Sequence, residues 1–288
     1  MDITPTQNRP MTGKRVIITG PTSGFGKEMA AQLAALGAEL VLACRDLARG
    51  ERTVDEIARR TGAKNCVVMR IDTSSQQSIH EFVRQYRARY PCLDVLINNA
   101  GINRSQRQTS VDGIELTFAT NVLGYYLLTR DLLDLLRASA PARIVNMASS
   151  FASDLDLTDL QFERRAYDGR KAYAQSKACD RMLTWAFARR LAGSGVTANA
   201  LAPGLAGQTG LYRDTSPAVR LLMRLMSLVY GRSVAQGADT AVWLASSSEV
   251  QGVNGRFFEQ RQEVPCTFRN VEAEEKLWSI CEGLTGST

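Results

Sequence analysis

The sequence is poor in cysteine and histidine. Six cysteines stand at positions 44, 66, 92, 179, 266 and 281, and His80 is the one histidine among 288 residues. No two cysteines form a C-x-x-C pair, and His80 has no cysteine or histidine close to it in the sequence. This spacing argues against a zinc motif and against a disulfide framework, so we predict no metal site. Free thiols are typical of a reducing compartment, and we expect a cytoplasmic protein.

Long apolar runs and a large charge excess are also absent. The most apolar segment outside the predicted strands, residues 221–230, is interrupted by Arg224 and is about half as long as a membrane span. The first ten residues are polar and lack the apolar centre of a signal peptide. Lys and Arg total 35 against 29 Asp and Glu, and the arginines are scattered, which is typical of a solvated surface. We therefore expect no transmembrane segment and no nucleic-acid partner.

The sequence does contain a regular alternation of short β-branched segments with longer helical ones. The predicted strands cover residues 15–19, 39–43, 66–71, 93–97, 143–147, 196–200 and 255–258. The predicted helices cover residues 26–36, 47–60, 76–90, 112–139 and 172–192. Strands that alternate with helices form right-handed crossovers and a parallel sheet. We therefore predict one α/β domain over residues 1–288, a Rossmann-like doubly wound parallel sheet of about seven strands with helices on both faces.

Two parts of the chain do not fit this alternation. Residues 151–170 are polar and irregular, and residues 205–231 contain a Met-rich apolar helix at 217–229. An insertion after a late strand lies where ligands bind in such a fold, so residues 205–231 are predicted to form a substrate lid. The Met and Leu stripe of this helix fits ordinary core packing equally well. A C-terminal tail is expected from about residue 261.

A glycine-rich turn joins the first predicted strand to the first predicted helix. In such a turn one glycine permits the tight bend, a second lets the backbone approach a pyrophosphate, and a third lets the helix pack closely on the strand. The N-terminus of the helix then offers free N–H groups to phosphate. We therefore predict that this loop binds a dinucleotide through Gly20, Thr22, Ser23, Gly24, Phe25 and Gly26.

The end of the second predicted strand bears on the choice between NAD and NADP. Cys44 is followed by Arg45 and Asp46, about 20 residues beyond the glycines. An acidic residue at this strand end binds the ribose hydroxyls of NAD, whereas an arginine suits the 2′-phosphate of NADP. We interpret Asp46 as the N-cap of the next helix, turned away from the ribose. Arg45 therefore predicts NADP(H) as the cofactor, with NAD(H) less favoured.

Two further strand ends carry candidate cofactor contacts. Asp72 fits either an acceptor for the adenine amino group or a cap for the helix led by Ser74. The run Asn98-Asn99-Ala100-Gly101 fits either a backbone passing close to a ligand or an ordinary loop. On the first interpretation of each, the cofactor-binding set gains Asp72, Asn99, Ala100 and Gly101.

A tyrosine and a lysine stand four residues apart at the start of a long predicted helix. Tyr173 and Lys177 therefore lie on one face, one turn apart. A phenol titrates near about pH 10, and a nearby ammonium lowers that value, so the pair suits acid/base catalysis. The motif also occurs at Tyr167 and Lys171, but Gly169 is poor in a helix interior and the second copy runs directly into apolar helical periodicity. We therefore predict Tyr173 as the acid/base.

The fifth predicted strand ends in a run of small polar residues, Asn146-Met147-Ala148-Ser149-Ser150. A serine hydroxyl at this edge of the sheet can hold the oxygen of a carbonyl substrate. Serines at strand ends are also commonly simple caps, so this run alone indicates little.

Together these motifs resemble the classical short-chain dehydrogenase/reductase family. The matches are T-G-x-x-x-G-x-G at Thr19 to Gly26, N-N-A-G at Asn98 to Gly101, Y-x-x-S-K at Tyr173 to Lys177 and P-G at Pro203 and Gly204, and they occur in the family's order. The resemblance covers about residues 12–260. The closer likeness is to the retinol dehydrogenase-like subgroup, on Leu42 to Asp46, Arg143 to Asn146 and Gly252 to Phe258.

The resemblance implies a role for each matched residue. Tyr173 is the acid/base, Lys177 lowers the pKa of its phenol and binds the nicotinamide ribose, and Ser149 binds the substrate oxygen, with Ser150 as the fallback. Asn121 holds a water that links Lys177 to solvent, and Pro203 and Gly204 lie against the nicotinamide. The family's usual carboxamide-binding threonine is replaced by Gln208, with Thr209 one place later.

The sequence thus predicts an oxidoreductase that moves a hydride between NADP(H) and a carbonyl or alcohol. The membrane anchor common in retinoid enzymes is not found, which favours an apolar small-molecule substrate other than a retinoid. Redox-neutral use of bound cofactor, as in an epimerase or dehydratase, and a non-catalytic cofactor-binding regulator are the alternatives. The long helices at 112–139 and 172–192 are compatible with packing across a two-fold axis in a homodimer or homotetramer.

Overall fold

A computed structural model of the chain describes residues 9–153, 155–204, 233–265 and 268–286. The predicted lid at 205–231, together with Gln208 and Thr209, lies outside the described residues. The strands are β1 (Arg15–Thr19), β2 (Glu39–Cys44), β3 (Cys66–Arg70), β4 (Val95–Asn98), β5 (Ala142–Met147), β6 (Val196–Ala202), β7 (Phe257–Glu259) and β8 (Gln262–Glu263).

The helices surround this sheet. They are α1 (Gly24–Ala35), α2 (Leu47–Thr61), α3 (Gln76–Arg89), α4 (Leu116–Phe118), α5 (Gly124–Asp131), α6 (Leu133–Ala138), α7 (Gly169–Arg190), α8 (Val234–Ser246) and α9 (Val271–Thr285), with a π-helical turn at Ala119–Leu123 and a 3₁₀ turn at Ser248–Val250. Helices α8 and α9 were not predicted from the sequence.

The strands form one sheet in the order β3-β2-β1-β4-β5-β6-β7-β8. Strands β1 to β7 pair in parallel, and β8 pairs antiparallel with β7. The predicted doubly wound parallel sheet is confirmed, with one strand more than the seven expected. Strand β8 has two exposed polar residues, which carry no apolar alternation from which it could be predicted.

Side chains of the central strands alternate between two apolar layers. In β1, Val16 and Ile18 pack into the layer on one face, and Ile17 packs into the layer on the other. This is why the strand reads as a continuous apolar run, since both faces are covered by helices. Helix α9 belongs to the same layer as Ile17, where Leu277 and Cys281 are fully buried. The two covered faces leave the strand ends as the places where polar residues gather.

The predicted single helix at 112–139 is wrong. A turn closed by a β-bridge between Thr109 and Glu115 occupies its start. The Glu115 carboxylate then accepts from the backbone N–H groups of Thr117 and Phe118 and starts α4. The π-helical turn follows, and α5 and α6 are separated at Leu132. The apolar periodicity runs through all these pieces, so the hydrophobic pattern does not reveal the breaks.

In the described part of the chain, no helix is both long enough and apolar enough to cross a bilayer. No group of three or more His, Cys, Asp and Glu residues among the described positions is arranged to hold a metal ion. The cysteines at 44, 66, 92, 179 and 281 are free, and Cys266 lies outside the described residues.

Candidate active site

A cavity of about 490 Å³ opens at the carboxyl ends of the parallel strands. It lies where β1 and β4 are neighbours and the strand order reverses, the usual ligand position in a doubly wound sheet. The predicted site residues that line it are Gly20, Thr22, Ser23, Gly24, Phe25, Gly26, Arg45, Asp72, Asn99, Ala100, Gly101, Tyr173, Lys177 and Pro203. Ser149, Asn121 and Gly204 do not line it.

The glycine loop has a backbone that side chains would not permit. Gly20 and Gly24 have φ values of +65° and +52°, in the left-handed region that favours glycine. A Cβ on Gly26 would lie 2.2 Å from the carbonyl oxygen of Gly20, so the start of α1 touches the loop directly. Ser23 is the N-cap of α1, but its hydroxyl makes no capping hydrogen bond. The N–H groups at this helix start are therefore not satisfied by the Ser23 side chain.

The Asn-Asn-Ala-Gly run braces the glycine loop. Asn99 donates from Nδ2 to the carbonyl oxygens of Thr19 at 2.8 Å and Gly20 at 3.1 Å. The Thr19 hydroxyl in turn accepts from the backbone N–H groups of Asn99 and Ala100 at 2.8 and 3.0 Å. These bonds tie the end of β1 to the end of β4. Asn99 thus has a structural task in addition to its place on the cavity wall.

The β2 end presents an arginine to the cavity. Arg45 is 62% exposed in its side chain, and its Nη1 lies 3.9 Å from Oδ2 of Asp72. Asp46 caps α2 by accepting from the backbone N–H of Arg49 at 3.0 Å, as the sequence predicted. It also lines the cavity, so the prediction that it turns away from the ligand is not supported. Arg49 also lines the cavity, although sequence reasoning missed it. Its position in the first turn of α2, directly after the end of β2, was the available signal.

Asp72 lies on the cavity wall but is not the cap of α3, one of the two roles that the sequence left open. Its Oδ1 accepts from both the backbone N–H and the hydroxyl of Ser74, at 3.0 and 2.7 Å. The cap of α3 is Ser75, which accepts from the backbone N–H of Ser78. Asp72 therefore holds the turn before α3, and its other oxygen faces Arg45 at the cavity.

Tyr173 stands on the first turns of α7, at the cavity wall. Desolvation of its phenol raises the pKa to about 12, while a hydrogen bond with the Ser149 hydroxyl acts in the opposite direction. Ser149 is buried behind Tyr173, and its Oγ also accepts from the backbone N–H of Phe151 at 3.1 Å. The structure thus brings the predicted acid/base and the predicted substrate-binding serine into contact.

Lys177 lies one turn further along α7, with its ammonium 5.9 Å from the centre of the Tyr173 ring. It donates to the carbonyl oxygen of Met147 at 2.8 Å and to Asp180 at 2.7 Å. Burial lowers the pKa of Lys177, and the Asp180 charge raises it, with a net result above the ordinary value. Sequence reasoning missed Asp180, although its spacing of three residues from Lys177 places it on the same face of the helix.

Asn121 sits in the middle of the π-helical turn and is fully buried. Its Oδ1 accepts from the backbone N–H of Ile102 at 2.9 Å, and its Nδ2 donates to the Ile102 carbonyl oxygen at 3.0 Å and to the Ser176 hydroxyl at 2.9 Å. A Cβ on Gly101 would lie 3.4 Å from Asn121 Oδ1 and 3.8 Å from Lys177 Nζ. Asn121 and Lys177 therefore both lie close to Gly101, with Lys177 on the cavity wall and Asn121 behind it.

The other Tyr-x-x-x-Lys copy lies apart from this arrangement. Tyr167 precedes α7, and its hydroxyl donates to Glu115 at 3.0 Å and lies 3.3 Å from the Thr117 hydroxyl. Tyr167 does not line the cavity. Gly169 is the first residue of α7. The position has no room for a side chain, because a Cβ there would lie 1.9 Å from the carbonyl oxygen of Arg104. The preference for Tyr173 over Tyr167 agrees with this geometry.

The chain is similar to proteins of one family over most of its length. The model of the family described as short chain dehydrogenase matches residues 14–219. Retinol dehydrogenase 12 of Mus musculus is 38% identical, with 96% of this chain and 88% of the relative covered. Retinol dehydrogenase 14 of Homo sapiens is 36% identical, with 96% and 87% covered.

Solved structures with a similar fold cover most of the chain. An uncharacterised protein from Mycobacterium paratuberculosis has a TM-score of 0.76 at 30% identity, with 95% of this chain and 94% of that chain covered. A protein from Beutenbergia cavernae, described as an NAD(P)-dependent gluconate 5-dehydrogenase with bound NADP, has a TM-score of 0.70 at 26% identity, with 88% and 97% covered.

The family match spans more than half of the chain, and the relatives cover nearly all of it. The match agrees with three features of the structure: the fold, the glycine loop at the strand-order reversal, and the Tyr-x-x-x-Lys helix beside that loop. The chain is therefore an oxidoreductase that belongs to the short-chain dehydrogenase family, and within that family it is retinol dehydrogenase-like.

Proposed function

We propose that this chain transfers a hydride between NADP(H) and the carbonyl or alcohol carbon of an apolar small molecule, with Tyr173 as the acid/base. The observation that carries the proposal is the shared cavity. Tyr173 and Lys177 line the same space as the glycine loop and Arg45, so a dinucleotide bound to the loop meets the phenol in one site. Membership of the short-chain dehydrogenase family supports this assignment.

The residues present fit a dinucleotide. The three glycines of the Gly20 to Gly26 loop have no side chains to keep a ligand away from the backbone. The Ser23 hydroxyl does not cap α1, so the backbone N–H groups at the start of this helix would hold the pyrophosphate. Asp72 and Ala100 would flank the adenosine end, and Pro203 and Lys177 would hold the nicotinamide end. When bound, the nicotinamide would supply the hydride in reduction and accept it in oxidation.

Cofactor choice rests on the arginines at the β2 end. Arg45 is mostly exposed, and Arg49 lies one turn further along α2, so the two guanidinium groups present fixed positive charge at this corner of the cavity. Asp46, the acidic residue nearest to them in sequence, is occupied as a helix cap. The Beutenbergia cavernae structure, with bound NADP, supports the same choice.

In reduction the Tyr173 phenol would donate its proton to the substrate oxygen as the carbonyl carbon receives the hydride. In oxidation the phenolate would take the proton of the alcohol. Desolvation and the Asp180 charge raise the phenol pKa, and the Ser149 hydroxyl lowers it. The ammonium of Lys177 would favour the phenolate, because a positive charge nearby stabilises the ionised form. The Ser149 hydroxyl would hold the substrate oxygen beside Tyr173, because the two hydroxyls are already in contact.

The substrate side of the proposal is an apolar carbonyl or alcohol. Ile102 and Ala148 contribute apolar surface to the cavity wall beside Tyr173. The relatives named retinol dehydrogenases support an alcohol or aldehyde as the reacting group. We further propose that the protein is cytoplasmic, as its free thiols suggest.

The experiment is a survey of carbonyl compounds with the purified protein, in which NADPH consumption is followed by absorbance. Loss of NADPH with an aldehyde or ketone, matched by the appearance of the alcohol, is the expected result. Conversion of substrate with no net NADPH loss would replace the proposal by a redox-neutral reaction. NADPH binding without any conversion would favour a regulatory protein.

A further inference from the structure

A buried carboxylate lies directly behind the candidate catalytic pair. Asp180 follows Lys177 by three residues on α7, and its Oδ2 accepts from Lys177 Nζ at 2.7 Å. The two side chains are 0% and 4% exposed. An ion pair in a dry interior is held much more strongly than one at the surface, because water does not screen it.

Few other groups near the Lys177 ammonium can stabilise its positive charge. Its second hydrogen bond goes to the carbonyl oxygen of Met147, at the end of β5. The ring of Tyr125, from α5, lies 5.2 Å away. A carbonyl dipole and an aromatic face stabilise a cation less than a full negative charge does. Asp180 is thus the group that offsets the cost of burying the Lys177 charge.

The other titratable groups around this pair are neutral. Tyr125 faces it from α5, Cys281 from α9, and Tyr173 and Cys179 from α7. Burial raises the pKa of each of these four groups, so none carries a charge near neutral pH. Arg181, the next residue on α7, is directed elsewhere, since it donates to the Ser149 carbonyl oxygen and stacks on the ring of Phe257.

We propose that Asp180 is a positioning residue for the hydride-transfer reaction, which keeps Lys177 charged and fixed behind Tyr173. The inference rests on the proposed function, because Lys177 must carry its charge to favour the phenolate and to bind the nicotinamide ribose. Asp180 does not line the cavity, so it would act on the reaction through Lys177, and its own charge raises the pKa of Tyr173.

The directions of the pKa shifts support this role. Burial by itself lowers the pKa of Lys177, and Asp180 reverses the effect. Burial raises the pKa of Asp180 to about 7, and the Lys177 charge opposes that rise. Without the carboxylate, only Tyr125 is left to oppose the lowering influence of burial on the Lys177 pKa. Full burial can lower the pKa of a lysine by up to roughly 3 to 5 units.

The test is the variant Asp180→Asn, which keeps the size of the side chain and removes its charge. We expect carbonyl reduction near the wild-type rate at about pH 6 and a progressive loss as the pH rises, with the alkaline limb about two units below that of the wild type. Cys179→Ala is the matched control, because Cys179 is the fully buried neighbour on α7 and carries no charge. The control should lose some thermal stability and keep the wild-type pH profile.

A second measurement separates this inference from the proposed function. NADPH binding is titrated against pH for the wild type and the variant, without any substrate. Binding that weakens with rising pH in Asp180→Asn, and not in the wild type, supports the inference even if no carbonyl is reduced. Identical pH profiles for both proteins, in binding and in turnover, would overturn it. If Asp180→Asn does not fold, Asp180→Ser takes its place, since the smaller side chain leaves room for water beside the ammonium.

Discussion

At the scale of single residues, the cofactor preference depends on Arg45. Its guanidinium is exposed at the cavity edge. There it would bind the 2′-phosphate of NADP more strongly than the uncharged 2′-hydroxyl of NAD. We expect Arg45→Ala to weaken NADPH binding by roughly 10-fold to 100-fold, the range for a lost hydrogen bond to a charged group, and NADH binding much less. The measurement is a pair of binding titrations with the two cofactors. Arg52→Ala, at an exposed position on α2 outside the cavity, is the control.

Equal weakening of NADPH and NADH binding in Arg45→Ala would contradict the NADP assignment. Arg49→Ala extends the comparison, because Arg49 lines the same corner from the next turn of α2. A loss specific to NADPH in both variants would show that two guanidinium groups share the phosphate.

Residue types at strand ends were predictable from the sequence, whereas their partners were not. The glycine loop could be recognised from its residue types, since few other residues tolerate the φ of Gly20 and Gly24. The contact of Lys177 with the Met147 carbonyl oxygen depends on how α7 packs against β5, so only the structure reveals it. Asp180 is a local partner, and its spacing of three residues was a signal that sequence reasoning missed.

At the scale of elements, the π-helical turn before α5 is the feature that the sequence concealed. Residues 114–129 are buried with the single exception of Leu116, so there is no polar face whose shift would reveal the extra residue, and the pattern at 112–139 predicted one continuous helix. The turn directs Asn121 inward to Ile102 and Ser176. Gly124 follows the turn directly. This position has no room for a side chain, because a Cβ there would lie 2.4 Å from the carbonyl oxygen of Thr73.

Gly124→Ala tests the fit of this turn against the β3 end. We expect it to lower the free energy of unfolding by about 1 to 3 kcal/mol, because the methyl group must displace backbone. Gly283→Ala is the control, since Gly283 lies in α9 with no atom within 4 Å of an added Cβ. The control should be neutral or more stable by about 0.5 to 1 kcal/mol, as expected for a helix glycine. Chemical denaturation of both variants provides the measurement, and equal stabilities would contradict the packing described here.

At the scale of the whole molecule, the C-terminal helix α9 is joined to α7 by an ion-pair cluster. Glu275 accepts from Arg190 and from Arg189, each at 2.9 Å, and these bonds lower the Glu275 pKa to about 2. The carboxyl pKa is thus lower in the folded chain than in the unfolded one. The stabilisation is complete above about pH 4.5 and is lost as the pH falls towards about pH 2.

Glu275→Gln should therefore melt at a slightly lower temperature than the wild type above about pH 5, by no more than about 2 to 4 °C because the pair is half exposed. The difference should vanish as the solution is acidified. Melting curves across this range test the expectation, with Glu272→Gln, exposed on the same helix, as the control. A difference that widens at low pH would contradict the assigned direction of the pKa shift.

The whole-molecule architecture followed from the sequence more readily than the additions to it. Buried parallel strands read as apolar runs separated by helices, and the reversal of strand order at β1 and β4 placed the cavity. Helix α9 was expected only as a tail. Its burial of Leu277 and Cys281 against α7 is a tertiary contact, which a chain of mixed polar and apolar residues does not signal by itself.

The central claim is that the Tyr173 hydroxyl donates or accepts the proton when a hydride passes between bound NADP(H) and the substrate. Its most direct test is a single-turnover experiment, in which protein loaded with NADPH is mixed with a reducible carbonyl and NADPH oxidation is followed. Tyr173→Phe should bind NADPH as the wild type does and oxidise it slower by about 10² to 10⁴ fold, while Tyr167→Phe, which changes the tyrosine of the other motif, should react at the wild-type rate. A Tyr173→Phe protein that turns over at the wild-type rate would contradict the account.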